Sequence, residues 1–181
     1  MAILPILTYP HPLLAQKAKP VPMVDDAIRR LVDDMAETMY AAPGVGLAAP
    51  QVGKLYRIVV LDVDYTDETK KSNLRVLINP EIVTRDGSIT WDEGCLSGPG
   101  ITEEVKRAGK VLVRALDREG KAQEIEGSGL LAVCMQHEID HLEGTLFIDH
   151  LSRLKRKLSM RNLKEPEYPF EPAPNSKNPR L

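Results

Sequence analysis

The sequence carries no surplus of positive charge. Its 24 Lys and Arg stand against 26 Asp and Glu, a net charge of −2. That excludes the strongly basic footprint of a dedicated nucleic-acid binder. Cysteine is scarce too: Cys95 and Cys134 are the only two, too few for a disulfide framework and in keeping with a reducing compartment. Nowhere does the chain reach the ~18 consecutive apolar residues that a membrane span needs. The apolar opening MAILPILTYPHPLL is interrupted by Pro5, Pro10 and Pro12, and no cationic segment precedes it, so it makes a poor signal peptide. No internal repeat is present. These absences predict a soluble cytoplasmic protein with no membrane partner. A length of 181 residues suits one domain with a real core.

What is present reads as an α+β chain. Residues 25–41 place Ile28, Leu31, Val32, Met35 and Met39 at helical spacing, with Asp25 or Asp26 to cap the start and Pro43 and Gly44 to end it. Strand patterns follow at residues 56–63, 75–80, 110–116 and 122–127, the last two joined by DREGK, a hairpin turn. Residues 128–144 read as a buried helix, with Ser128 at its start and Gly144 as its stop. This order predicts mostly antiparallel strands packed around a central helix, with an N-terminal and a C-terminal helix, not a βαβ series. The C-terminal helix is expected within residues 151–164, which hold six cations (Arg153, Lys155, Arg156, Lys157, Arg161, Lys164) and no acid. Residues 165–181 hold five prolines and cannot be helical. One domain over residues 1–164 and a Pro-rich tail over 165–181 are therefore expected.

The central helix carries QHEIDH, in which His137 and His141 stand four residues apart. At that spacing two imidazoles share a helix face and can point at one ion. Glu138 lies about 100° round from His137. It can reach a metal-activated water without replacing it, as a general base must.

Two histidines leave a third ligand to be found. The long zinc-protease motif requires a His where this chain has Phe147, so that reading fails. Glu165 and Glu167, at the distance of a downstream glutamate ligand, fall in the Pro-rich tail. Cys134 shares the helix face, but it lies ~10 Å along the axis from His141, too far for three ligands to converge on one near-tetrahedral ion. Cys95, in WDEGCLSGPG, arrives from a separate glycine-flanked segment. A Cys/His/His set with an open fourth position is a catalytic arrangement. The remaining histidines, His11 and His150, read as surface or core residues.

Three segments now coincide: GVGLAAPQ (residues 44–51), EGCLS (93–97) and QHEIDH (136–141). In this order and with these gaps they resemble the three motifs of the peptide deformylases. ILTYPHPLLAQKAKPV and VLVRALDREGK add to a similarity that spans about residues 3 to 160. The resemblance implies a hydrolase of protein biosynthesis and N-terminal processing. Such an enzyme removes the formyl group from the formyl-methionine terminus of new polypeptides. It implies a divalent ion held by Cys95, His137 and His141, Fe²⁺ foremost, with Zn²⁺, Ni²⁺ or Co²⁺ as substitutes. A metal-activated water would attack the formyl carbon with Glu138 as general acid/base, and the Gln51 side chain and Leu96 N–H would bind the oxyanion. Val45, Leu130, Val133 and Cys134 match positions around a methionine pocket. Gly44, Gly46 and Gly94 let backbone approach closely, so that a peptide could lie extended between the two segments that carry them, and Arg107 matches an arginine near the substrate groove. Gly98 departs from the family, which usually has a branched aliphatic residue there. The expected consequence is a changed apolar rim of the cleft.

Two other readings compete. A zinc peptidase is opposed by Phe147 and by EGCLS. An inactive relative acting as a binding module would have lost Glu138, Gln51 or a ligand, and all are present. Nascent formylmethionyl polypeptides are thus the expected partners, with ribosome contact through residues 153–164 as a further expectation.

Overall fold

The computed structural model describes residues 2–66 and 68–165. Its elements are helix α1 (Asp26–Ala41), strands β1 (Gly46–Ala48), β2 (Ile58–Leu61), β3 (Arg75–Asp86), β4 (Ile89–Cys95), β5 (Gly98–Arg107), β6 (Lys110–Leu116) and β7 (Ala122–Ser128), and helices α2 (Gly129–Leu142) and α3 (Arg153–Met160). Three short 3-10 turns, Pro12–Ala15, Ala49–Val52 and Phe147–His150, join them. Five strands form an antiparallel sheet in the order β1-β2-β3-β6-β7, and β4 and β5 form a separate hairpin. The fold is α+β.

The alternation of a strand explains how the sheet serves two helices. All four residues of β2 are buried, yet they divide by face. Ile58 and Val60 pack with Val32, Met35 and Met39 of α1. Val59 and Leu61 pack with Ala132, Val133, Met135 and Ile139 of α2. Period-2 geometry sends neighbouring side chains to opposite faces, so an all-apolar strand is what a sheet between two helices requires. Each fully buried Val or Met contributes about 1.5–3 kcal/mol relative to exposure. The Asp25 side chain accepts from Ile28 N at 2.9 Å and caps α1. Helix α2 is the central helix, buried almost throughout, and its C-terminal turn passes through Gly144 at φ +76°.

Several boundaries differ from expectation. Strand β3 runs on to Asp86, pairing with β6 across register shifts between Ile78 and Glu81 and between Ile82 and Thr84. The β4–β5 hairpin is unheralded in the hydrophobic pattern: its buried Ile101 and Val105 alternate with Thr102, Glu104 and Lys106 only after the Gly98–Pro99–Gly100 start. Helix α3 is shorter than residues 151–164, beginning where Ser152 Oγ accepts from Lys155 N at 3.3 Å. The expected tail lies outside the described residues apart from Glu165.

Candidate metal centre

Helix α2 and the tip of the β4–β5 hairpin meet at one point. His137 and His141 project from the same face of α2 and Cys95 ends β4; each is 1% exposed. One donor atom from each lies within 4.8 Å of the others. Cys95 Sγ is 3.3 Å from His141 Nε2. Cys134 stays apart: its Sγ faces the Val45 carbonyl at 3.8 Å, and burial pushes the thiol pKa well up, which favours the neutral form.

The donor set fits a divalent cation. His137 Nδ1 donates to Glu93 Oε1 at 2.8 Å, which leaves Nε2 to face inward. That Nε2 is buried and finds no hydrogen-bond partner among the described residues. Burial works against charge on His137, but Cys95, Glu93 and Glu138 outweigh it and push its pKa up to about 10. The surroundings therefore favour positive charge at this place. Burial holds His141 well below its usual pKa, the neutral form that ligates.

Glu138 is fully buried, and neither carboxylate oxygen has a hydrogen-bond partner among the described residues. Burial raises its pKa to about 7, against the pull of His137 and Arg107. A carboxyl so placed can both take and return a proton near neutral pH. Gly46 is what leaves room for it. A Cβ there would come within 2.7 Å of Glu138 Oε1 and 2.9 Å of Cys134 Sγ.

Gln51 is held in one orientation. Its Oε1 accepts from Ala48 N at 2.9 Å, so Nε2 turns toward Ser97 Oγ at 3.1 Å and Cys95 Sγ at 3.6 Å. Leu96 lies in the turn between β4 and β5, beside Cys95, and its side chain is fully buried. Val45, Val133 and Cys134 are buried in one apolar cluster, with Leu130 partly buried against it. Gly94 precedes Cys95 at a register shift of the hairpin.

Two further residues named in the sequence have surroundings that only the fold reveals. Arg107 is buried and held by acids. It is 7% exposed, with Nε and Nη2 on Glu93 at 2.6 and 2.9 Å and Nη1 on Asp140 at 2.9 Å. A buried guanidinium needs carboxylate partners, and these consume its fork. Gly98 lies where the hairpin meets its own apolar cluster. A Cβ there would meet Ile101 and Phe147, both at an ordinary 3.8 Å, within the apolar cluster behind the hairpin.

Residues unforeseen from the sequence complete the picture. Glu93 is fully buried, and His137 and Arg107 hold its pKa below the usual range although burial would raise it. Phe147, which removed the protease reading, stacks on His137 with centroids 5.8 Å apart. Of the other histidines, His11 caps a 3-10 turn, and His150 is half-exposed but bonds Asp140 Oδ2 at 2.8 Å.

Comparison with known proteins is consistent with this geometry. The sequence model of the family described as polypeptide deformylase matches residues 3–157. A peptide deformylase of Alkalilimnicola ehrlichii is 58% identical over 165 residues, covering 91% of each chain. The crystal structure of a peptide deformylase from Legionella pneumophila superposes with a TM-score of 0.84 at 50% identity, covering 89% of this chain and 93% of that one. One from Ehrlichia chaffeensis, solved in complex with actinonin, superposes with a TM-score of 0.83 at 42% identity, covering 89% and 95%.

Proposed function

This chain belongs to the peptide deformylase family, and from that we infer how its residues divide the work. It is a hydrolase that removes the formyl group from the formyl-methionine terminus of newly made polypeptides. The observation that carries the reading is the convergence of Cys95, His137 and His141 donors within 4.8 Å beside a buried, unpartnered Glu138 carboxylate.

A formamide is a stable amide, so its hydrolysis needs an activated nucleophile and a stabilised oxyanion. Cys95, His137 and His141 hold a divalent ion, which when bound supplies Lewis acidity to water and carbonyl. Glu138 takes the proton of the attacking water and returns it to the leaving amine. Gln51 Nε2 and Leu96 N–H donate to the oxygen where negative charge develops. The orientation of Gln51, set by Ala48 N, supports this role. Val45, Leu130, Val133 and Cys134 form the apolar wall for the methionine thioether, whose flexibility suits such a surface. The peptide extends along the segments that carry Gly46 and Gly94, and β1 is an edge strand of its sheet, open to strand addition.

The ion is Fe²⁺ in this proposal, with Zn²⁺, Ni²⁺ and Co²⁺ as substitutes. The general affinity order runs against Fe²⁺, so metal analysis of protein prepared without oxygen decides it. Residues 1–164 form one catalytic domain in this reading and 165–181 a Pro-rich tail. No helix among the described residues is long and apolar enough to cross a membrane, and the proposed location is the cytoplasm.

The test of function compares two substrates. Formyl-Met peptides should be hydrolysed and acetyl-Met peptides far more slowly, because the carbonyl site is crowded by the ligands, Gln51 and Leu96. Equal rates would defeat the reading.

Ribosome contact through residues 153–164 is part of the same proposal. Arg153, Lys155, Lys157, Arg161 and Lys164 are exposed around α3, and ribosomal RNA is dense in phosphate. Co-sedimentation with ribosomes at low salt should fall when all six cations become Gln, and parent binding should weaken steeply with salt. Unchanged co-sedimentation would end this part of the account.

A further inference from the structure

The two elements that supply the proposed ligands are separate pieces of chain, and something must set the distance between them. The hairpin brings Cys95, and α2 brings His137 and His141. Glu93 stands two residues before Cys95 and is fully buried; Asp140 stands beside His141 on α2. Arg107 joins them, holding both oxygens of Glu93 and, through Nη1 at 2.9 Å, Asp140 Oδ2. Glu93 in turn accepts from His137 Nδ1. The chain does not stop there. Asp140 Oδ2 also receives His150 Nε2 at 2.8 Å. His150 closes the 3-10 turn Phe147–His150, whose first residue stacks on His137. That turn therefore grips the ligand helix at two points, one apolar and one polar.

We propose that Asp140 and His150 are positioning residues of the metal centre, the outer end of a brace that holds the Cys95 hairpin at a set distance from the His137–His141 helix. The proposal rests on the assignment of Cys95, His137 and His141 as ligands. Alternation of sign along Glu93, Arg107 and Asp140 makes each group the partner that its neighbour needs. Without His150, Asp140 loses a second anchor and can turn from Arg107. Arg107 then no longer restrains Glu93, and with it the ring of His137. Partners that orient a ligand from behind typically govern metal affinity by about 10–100-fold. His150 is half-exposed, so its replacement leaves the buried apolar clusters intact.

The test uses the full chain loaded with Co²⁺, which reports on its own coordination through visible absorption. His150→Ala should release Co²⁺ to a chelator about 10-fold faster than the parent, the lower end of the range for such partners, and should shift the visible bands. His150→Gln, whose amide nitrogen has similar reach, should restore both toward the parent. Asp140→Asn should act in the same direction as His150→Ala. The metal-free His150→Ala protein should melt at the parent temperature. Release and spectra identical to the parent would overturn the proposal, as would a lower melting temperature with unchanged release. A parent chain that takes up no Co²⁺ would instead overturn the metal centre itself, so the two failures are distinguishable.

Discussion

Purified Cys95→Ser should carry little metal and release little formate, while Cys134→Ser keeps its metal and loses mainly substrate affinity. The physical difference is position. Cys95 Sγ lies 3.3 Å from His141 Nε2, inside the donor set. Cys134 Sγ lies against the Val45 carbonyl and the backbone of Gly46. A neutral hydroxyl is a poor substitute for a thiolate ligand, so the loss at Cys95 should exceed the roughly 10–100-fold expected for a partner behind a ligand. At Cys134 a hydroxyl makes the wall of the methionine pocket more polar, which raises KM more than it lowers kcat. Metal content and steady-state kinetics of the two variants check this. The reverse pattern, with metal lost from Cys134→Ser and kept by Cys95→Ser, would displace the ligand assignment.

Those elements that advertise themselves locally were legible in the chain. Helix α1 has an apolar stripe and an aspartate cap, and the structure begins it one residue after Asp25. Helix α2 runs between Ser128 and Gly144 as read. The β4–β5 hairpin was not legible, because ITWDEGC and GPGITEEVKR mix glycine, proline and charge with few apolar positions. Its strands owe their place to pairing with each other and to the cluster of Ile101, Val105 and Phe147 behind them.

At the site the same division holds. His137 and His141 are given away by a spacing rule that reflects helix geometry. Cys95 was reached by excluding the alternatives along one helix and by the motif trio. Glu93, Arg107, Asp140 and His150 follow no such rule, since their partners come from different elements at 14, 33 and 10 residues' separation. Charge can be read from a sequence, but which way a guanidinium turns cannot. The bonds of Arg107 to Glu93 and Asp140 are therefore a property of the fold. At Gly98 likewise the departure from the family pattern is legible, but the direction of the absent Cβ, toward Ile101 and Phe147, is a property of the fold.

Glu138→Gln should retain the fold and the metal yet lose roughly 10²–10⁴ in turnover, the usual contribution of a general acid/base. The amide is nearly isosteric, so the tight space against Gly46 is preserved. It cannot accept and return a proton. The ligands are untouched, and Glu138 is not among the donors that converge. A thiolate in place of a third imidazole also lowers the charge of the site by one, which throws more of the proton-taking onto Glu138. The most direct measurement is metal-to-protein ratio and formate release from formyl-Met peptide, determined on the same sample of Glu138→Gln beside the parent. Full metal occupancy with turnover lower by roughly 10²–10⁴ is the result the account predicts; near-parental turnover at full occupancy would contradict it.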